Sequence, residues 1–314
     1  MKKQILFFAA LIMGASMLLA QDLGKGPHHG PPNGGPNNGY DCTDCEVTQL
    51  PRIKDDCYGC EQDAHYSDIE QQGKGNDADV RQWGYKQFSL VKQKGKGNTV
   101  VVRQRGHGNY SDILEEGKRN TGKVFQDGYK NYAKQRVFGD DNFAKVNQDG
   151  KRNASFQRQR GNDDEARVKQ TGKENYAEQD QDAGDSNSPG HLGSVAKITQ
   201  HGYQNEAEQK QIGSANDAKV TQNGHGNSSV EDQTSSSGNS SYKGNSSTVF
   251  QSGYMNVSCV EQDYKYRRDR RLEKNTSNVK QFGKYNYSSV DQWGNGNSAT
   301  VVQRSSGRCG PNGK

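Results

Sequence analysis

Polar and apolar side chains alternate along short segments of the chain, and the segments recur every 11 residues over long stretches. Asn76, Ala78, Val80 and Gln82 form one such series, in which amide, small and apolar side chains take every second position. A period of two is typical of a β-strand, whose successive side chains point to opposite faces. The pattern therefore predicts a chain of short strands, each with one series of side chains facing inward.

Glutamine and glycine mark the repeat most clearly. Of 20 units, 18 have glutamine at the same point, and Glu115 and Val137 are the exceptions. Glycine follows two residues later in 16 units, where it supplies a tight turn. Three insertions, each of which opens where that glycine is missing, lie near 182–193, 234–244 and 263–274.

The number of strands in one coil can be inferred from the residue that stands two positions before each repeat glutamine, which faces inward as the glutamine does. Val or Ile stands there in 15 units, and the five units that differ always alternate with units that do not. Two strands per coil place these five side chains in one column of one sheet, whereas three strands per coil would scatter them. The five residues are Gln135, Gln157, Gln179, Gln209 and Glu231.

Four residues before the glutamine point the side chain is Ala, Ser or Gly in 19 of the 20 units, so two sheets are expected to approach closely there. We therefore predict an all-β fold, a two-strand-per-coil parallel β-solenoid of cross-β type with about ten coils, over residues 65–304. Asn and Gln side chains are expected to form hydrogen-bonded ladders along the stack. These ladder residues include Gln71, Asn76, Gln82, Gln93, Asn98, Gln104, Gln211, Asn216, Gln222, Gln292, Asn297 and Gln303.

Composition agrees with a polar repeat and disfavours a conventional globular core. Only 29% of the residues are hydrophobic, and 38 are glycine. The formal net charge of +5 is too small to favour nucleic acid as the main partner.

The amino-terminal residues predict a secreted protein with several segments outside the repeat. Residues 1–20 combine Lys2 and Lys3 with a short apolar run, which is typical of a cleaved signal peptide. Residues 21–40 are predicted to form a Gly/Pro/His-rich linker. His28 and His29 are interpreted as part of this spacer, and binding of a metal by the pair is the alternative. A cysteine-containing segment at 41–64 precedes the repeat, and a tail at 305–314 follows it.

The cysteines of the amino-terminal segment stand in two closely spaced pairs. In a secreted protein disulfides between the pairs are favoured, while zinc binding and reduced thiols stay open as alternatives. The four residues are Cys42, Cys45, Cys57 and Cys60. Cys259 is expected at an outward strand position about two coils from Cys309, so a bond between these two would need distortion.

The third insertion is basic and contains tyrosines. Such a loop could bind anionic polysaccharide or extracellular DNA, and the plainer interpretation is a solvated loop. Its arginines are Arg267, Arg268, Arg270 and Arg271.

The repeat unit Gln-x-Gly-x-x-Asn-x-Ala-x-x-x-Gln, as in 71–82 and 211–222, resembles the repeat of the curlin family, over about residues 67–303. The resemblance implies a subunit of functional amyloid that leaves the cell through the outer-membrane curli secretion channel and assembles with itself and other curlin subunits into extracellular, cell-surface fibres. In that family the fibres serve the biofilm matrix, adhesion and surface colonisation, and an amino-terminal segment addresses the channel. This chain departs from the familiar curlins in its three insertions, its cysteine segment and about twice as many repeats. A nucleator or minor subunit is therefore the alternative to a main fibre subunit.

Two other classes of function compete with this interpretation. An enzyme would need carboxylates or a nucleophile gathered at one cleft, whereas Glu115 and Glu231 are many coils apart. We expect no catalytic residues, no cofactor and no metal site. Threonine is sparse on the grid, whereas ice binding needs regular threonine rows, and the turns offer mostly Lys, Arg, Tyr and Asn instead of the aspartates of a calcium-binding repeat. A β-solenoid adhesin that stays monomeric is the second alternative, and polymerisation of the purified chain distinguishes it.

Overall fold

The computed structural model describes residues 64–183, 192–235, 244–263 and 274–305. These residues form 20 strands of seven or nine residues, and they contain no helix long and apolar enough to cross a membrane. The strands are β1 (Tyr66–Lys74), β2 (Asp77–Tyr85), β3 (Phe88–Lys96), β4 (Thr99–His107), β5 (Tyr110–Lys118), β6 (Thr121–Tyr129), β7 (Tyr132–Asp140), β8 (Phe143–Lys151), β9 (Ala154–Arg160), β10 (Glu165–Lys173), β11 (Tyr176–Asp182), β12 (Val195–Tyr203), β13 (Glu206–Ile212), β14 (Asp217–His225), β15 (Ser228–Thr234), β16 (Ser246–Tyr254), β17 (Val257–Asp263), β18 (Thr276–Lys284), β19 (Tyr287–Trp293) and β20 (Ser298–Arg304).

The strands form two parallel sheets that divide by parity. The ten odd-numbered strands follow one another in one sheet, and the ten even-numbered strands follow one another in the other. Equivalent repeat positions lie side by side, so Gln71 pairs with Gln93 and Gln82 pairs with Gln104. The predicted fold, a parallel β-solenoid with two strands per coil, is therefore confirmed. The registers of β10 with β12 and of β14 with β16 stay in step although insertions separate the strands in sequence.

Some turn positions require glycine for two reasons: the backbone has positive φ, and the next coil leaves no room for a Cβ atom. Gly95 has a φ of +124°, and a Cβ built on it would lie 1.9 Å from the carbonyl oxygen of Gly117 in the following coil. Gly97, in the same turn, also has positive φ, but a Cβ there would meet only the side chain of Arg119, at 3.9 Å. Glycine is therefore needed at the position of Gly95 because stacked turns approach each other closely there, and not only because of the turn conformation.

A thin core runs the length of the solenoid between the two sheets. Most central strands direct a small residue, a branched apolar residue and a glutamine inward, as Ala144, Val146 and Gln148 do in β8. The small side chains let the sheets approach closely, and the valines and isoleucines form one continuous apolar cluster. The core thus combines apolar and amide side chains, so its stability depends on hydrogen bonding as well as on apolar burial.

Cys259 is nearly buried although it lies on the outer face of its sheet. It lies at the outward position of β17 as expected, yet only 7% of it is exposed. Val230 and Ser289 are its neighbours in the flanking strands of the sheet. Flanking side chains on a flat parallel sheet cover a small residue between them, so an outward position here need not be accessible.

Candidate functional site: the hydrogen-bonded ladders

The even-numbered sheet has an unbroken glutamine ladder along its inner face. In every step the Nε2 of one glutamine donates to the Oε1 of the glutamine in the next strand, at 2.8–2.9 Å, from Gln82 to Gln303. The same Nε2 atoms also reach the opposite sheet, as Gln104 does with the carbonyl oxygen of Phe88 at 2.9 Å. The ladder therefore joins consecutive coils and also joins the two sheets.

The odd-numbered sheet has the same ladder in two pieces. The first runs from Gln71 through Gln93 to Glu115, with donor–acceptor distances of 2.7 and 3.0 Å. Val137 occupies the next rung and offers neither donor nor acceptor. The second piece starts at Gln159, whose Oε1 has no hydrogen-bond partner among the described residues. It continues through Gln181, Gln211, Gln233, Gln262 and Gln292.

A third ladder occupies the position where other strands have valine or isoleucine. Its rungs are donor–acceptor pairs at 2.7–3.0 Å that run in one direction through Gln135, Gln157, Gln179, Gln209 and Glu231. The ladder ends at Glu231 because the next residue of the column is Val260. Each of these side chains is inward and at most 2% exposed.

The asparagines act differently from the glutamines. Asn98 Nδ2 donates to the Lys94 carbonyl oxygen of its own turn at 3.2 Å and to the Gly117 carbonyl oxygen of the next coil at 3.1 Å. Its Oδ1 accepts the backbone N–H of Asn120 at 3.0 Å. The expected asparagine ladder is thus mainly a set of bonds between side chains and the backbone of stacked turns. Asn76, Asn216 and Asn297 occupy equivalent turns.

Three carboxyl groups are buried among these amides. Burial raises the pKa of Glu115 to about 8, against a hydrogen bond from Gln93 that lowers it. Burial likewise raises the pKa of Asp164 to about 7 and that of Glu231 to about 7. Glu231 accepts from Gln209 Nε2 and from Ser247 Oγ, both at 2.7 Å. Near neutral pH these groups are therefore at least partly protonated, and none has a cation as its partner.

Asp164 was missed in the sequence analysis, although a signal for it exists. It stands five residues after Gln159, the spacing at which Asn76 follows Gln71. In the structure it takes over the role of asparagine, because its Oδ1 accepts the backbone N–H of Ser194 at 2.8 Å. An aspartate at a repeat position that is otherwise asparagine was therefore the sequence signal for a buried carboxyl group.

Several residues singled out from the sequence lie outside the described residues. These are His28, His29, Cys42, Cys45, Cys57, Cys60, Arg267, Arg268, Arg270, Arg271 and Cys309. Within the described part of the chain, no group of His, Cys, Asp and Glu side chains is arranged to hold a metal ion.

The fold and the ladders define a class of protein: a parallel β-solenoid whose inner face is an array of amide ladders running along the stacking axis. The curlin associated repeat matches residues 73–106, 117–150, 195–224 and 274–304. No curated protein matches the chain in sequence. The chain is a curlin-repeat protein.

Proposed function

We propose that this protein is a secreted structural subunit that stacks end to end into curli-like amyloid fibres for the biofilm matrix, adhesion and surface colonisation. The observation that carries the proposal is that, within the part of the chain that the structure describes, the sheets end at exposed strands on which the inner pattern is still present. All nine residues of β1 are exposed, and no residue of β20 is buried. An exposed parallel edge with unused backbone donors and acceptors is a template for another chain.

The register of the sheets specifies how two copies would meet. A second copy placed one strand spacing beyond β19 and β20 brings its Gln71 over Gln292 and its Gln82 over Gln303. Within each chain Nε2 donates to the Oε1 of the higher-numbered rung, as in the bond from Gln71 to Gln93. Within the described strands, the β1–β2 end of the stack therefore has free Oε1 acceptors, and the β19–β20 end has free Nε2 donors. Head-to-tail contact joins donors to acceptors and continues both ladders, whereas contact between two β19–β20 ends places donor against donor.

Aromatic side chains support the same contact on the outer face. Tyr66, Phe88, Tyr110 and Tyr132 stack in consecutive odd strands with ring centroids 4.8–5.0 Å apart. At the far end Tyr287 occupies the equivalent position and is 58% exposed. Head-to-tail stacking places Tyr287 over Tyr66 and continues this column across the junction.

Assembly of the refolded chain, residues 21–314, tests the proposal. We expect thioflavin T fluorescence to rise and aligned fibres to give a reflection at about 4.7 Å. Ile69→Lys puts a charge into the inward row of the edge strand β1 and should block growth at that end, whereas Asp68→Lys, one residue away and outward, should not. Wild-type chain that stays monomeric for days would overturn the proposal and favour the monomeric adhesin. Seeding of another curlin by this chain, without growth of its own, would favour a nucleator.

The proposal extends to export and to partners. The amino-terminal segment would address the outer-membrane curli secretion channel, and Arg267, Arg268, Arg270 and Arg271 would contact anionic polysaccharide or extracellular DNA. Replacing the four arginines with glutamine should lower retention of assembled fibres on an immobilised polyanion and leave thioflavin T kinetics unchanged. Equal retention would remove the polyanion from the list of partners.

A further inference from the structure

The outer face of the even-numbered sheet has a column of cations, which we call the basic column. It comprises one residue from each of the consecutive strands β6, β8, β10, β12 and β14, namely Lys123, Lys145, Arg167, Lys197 and Lys219. Glu165 pairs with Arg167 at 2.5 Å and with Lys197 at 3.3 Å. No carboxylate among the described residues forms an ion pair with the other three. Like charges side by side on a sheet are unfavourable. Lys123 and Arg167 lie over the Phe143 ring at 5.7 and 4.7 Å, and Lys145 lies over the Phe125 ring at 5.5 Å, but these cation–π contacts do not neutralise the charge of the column.

The outer face of the odd-numbered sheet has the opposite charge. We define the acidic face by one carboxylate from each of the consecutive strands β11, β13, β15, β17 and β19, namely Glu178, Glu208, Asp232, Glu261 and Asp291. Lys210, 3.6 Å from Asp232, is the single cation at the outward positions of these five described strands. Burial raises the pKa values of Glu208, Asp232 and Glu261, and neighbouring carboxylates raise them further, whereas Lys210 lowers those of Glu208 and Asp232. This face is therefore short of positive charge.

The two charged surfaces match each other in length. Each extends over five consecutive strands of one sheet, with one named charge per strand at a strand spacing of about 4.8 Å. The basic column is straight, whereas the acidic face shifts by two residues between Glu208 and Asp232. They cannot meet within one molecule, because the two sheets enclose the core and the charges point away from it on opposite sides. A second copy of the chain, placed beside the first, presents the complementary surface at the same repeat.

We infer that the basic column of one solenoid docks on the acidic face of a second copy beside it, so that the proposed fibres associate laterally into bundles. The inference rests on the proposed fibre function. The contact is heterologous, since each copy uses a different face, and such contacts do not close but add one filament after another. With parallel axes, β6 to β14 of one copy would face β11 to β19 of its neighbour, a stagger of three coils or roughly 14 Å.

Charge reversal on each surface separately gives a sharp test. Variant A carries Lys145→Glu, Lys197→Glu and Lys219→Glu, which makes both faces acidic. Variant B carries Asp232→Lys, Glu261→Lys and Asp291→Lys, which replaces three of the five carboxylates of the acidic face with cations. The control carries Lys151→Glu, Lys173→Glu and Lys284→Glu, with the same change in net charge as variant A but at exposed strand ends next to turns. Thioflavin T fluorescence follows fibre formation, and low-speed sedimentation with electron microscopy of fibre width follows bundling.

Wild type and the control should form bundles, whereas fibres of A alone and of B alone should stay single and pellet several-fold less. Mixing preformed A and B fibres should restore bundles. Wild-type bundles should loosen in 1 M salt, where the screening length is about 3 Å. Bundling of A alone at the wild-type level would overturn the inference, and so would failure of the A and B mixture to bundle. Failure of the mixture is the result expected if the basic column binds a polyanion instead of a second copy.

Poor folding of the reversed variants would not end the test, because Lys→Gln and Asp→Asn or Glu→Gln at the same positions remove the charges without adding repulsion. These neutral variants should form fibres and bundle less than wild type; wild-type bundling by them would also count against the inference. Absence of fibres from the wild-type chain would refute the proposed function itself. Fibres that bundle regardless of charge and salt would refute the lateral contact alone.

Discussion

Glu231 is the clearest place to test whether the inner ladders determine stability. Its carboxyl group is fully buried, with Gln209 Nε2 donating to one oxygen and Ser247 Oγ donating to the other. Burial raises its pKa from 4.5 to about 7, although both hydrogen bonds act in the opposite direction. The next residue in the column, Val260, offers no compensating charge.

The sign of the pH dependence follows from this shift. In the unfolded chain Glu231 loses its proton near pH 4.5, whereas in the folded chain it keeps the proton up to about pH 7. Its protonated form therefore stabilises the fold fully below pH 4.5, and the contribution is lost as the pH rises to about 7. A difference of roughly 2.5 pKa units corresponds to about 3 kcal/mol at 1.36 kcal/mol per unit.

Glu231→Gln should abolish this dependence, because the amide is neutral at every pH and finds partners in place. In the four rungs before it, Nε2 also donates to the carbonyl oxygen twelve residues earlier, at 3.2–3.4 Å. The equivalent oxygen for a glutamine at this position is that of Lys219, and Ser247 Oγ can accept the second N–H. We expect the variant to match the wild type near pH 4.5 and to exceed it by up to about 3 kcal/mol at pH 8.

The measurement is urea unfolding of the soluble chain before assembly, together with the thioflavin T lag time, from pH 4 to pH 8.5. Glu115 and Asp164 titrate in both proteins, so the difference between the two curves is the quantity to compare. Asp291→Asn removes an exposed carboxylate in the same sheet and serves as the control, with a much smaller effect expected. Superimposable curves for wild type and Glu231→Gln would show that the carboxyl group is hydrated and that the inward register is wrong.

Further substitutions test the stacking of turns and the continuity of the ladders, each by the urea midpoint of the soluble chain. Gly95→Ala should lower the free energy of unfolding by about 3–5 kcal/mol because its Cβ meets the Gly117 carbonyl, whereas Gly97→Ala should lower it by about 1 kcal/mol. Equal losses would mean that the turn conformation alone, and not the stacking of turns, requires glycine at position 95. Asn98→Ala should cost about 2–4 kcal/mol for the three backbone groups it leaves unpaired, and the exposed Asn147→Ala should change little. Glu115→Gln combined with Val137→Gln makes the odd ladder continuous, so the double variant should exceed the sum of the single effects by about 1 kcal/mol, and additivity would contradict the ladder.

Much of the fold could be predicted from the sequence because each coil repeats the same local signals. Inward glutamine, inward valine and turn glycine recur in register, and the alternate placement of Gln157 and Gln179 shows that two strands make one coil. The function of Asn98 could not be predicted in the same way, since its partners are backbone atoms of another coil. The near burial of Cys259 and the charge on each face also depend on side-chain neighbours across strands, which become visible only once each strand is assigned to its sheet.

The breaks in the ladders are themselves ordered. In β7 the usual inward sequence of an apolar residue followed by glutamine is reversed, with Gln135 before Val137, so the strand keeps its inward composition while its amide moves by two residues. The ladder that ends at Glu115 in β5 is therefore followed, one strand later and diagonally, by the ladder that starts at Gln135. Glu115 Oε1 and Gln135 Oε1 lie 2.9 and 3.1 Å from the position that a Cβ would occupy at Gly122 on the facing sheet.

Neither of these two oxygens has a hydrogen-bond partner among the described residues. With a pKa of about 8, Glu115 is mostly protonated at neutral pH, so the end of the first ladder brings little charge to the side of Gly122 where the amide oxygen of Gln135 also lies. Gly122 leaves the space that this change of column needs, since any larger side chain there would press on both oxygens. The departures from the repeat at these positions therefore belong to a single rearrangement of the core, and they should be altered together.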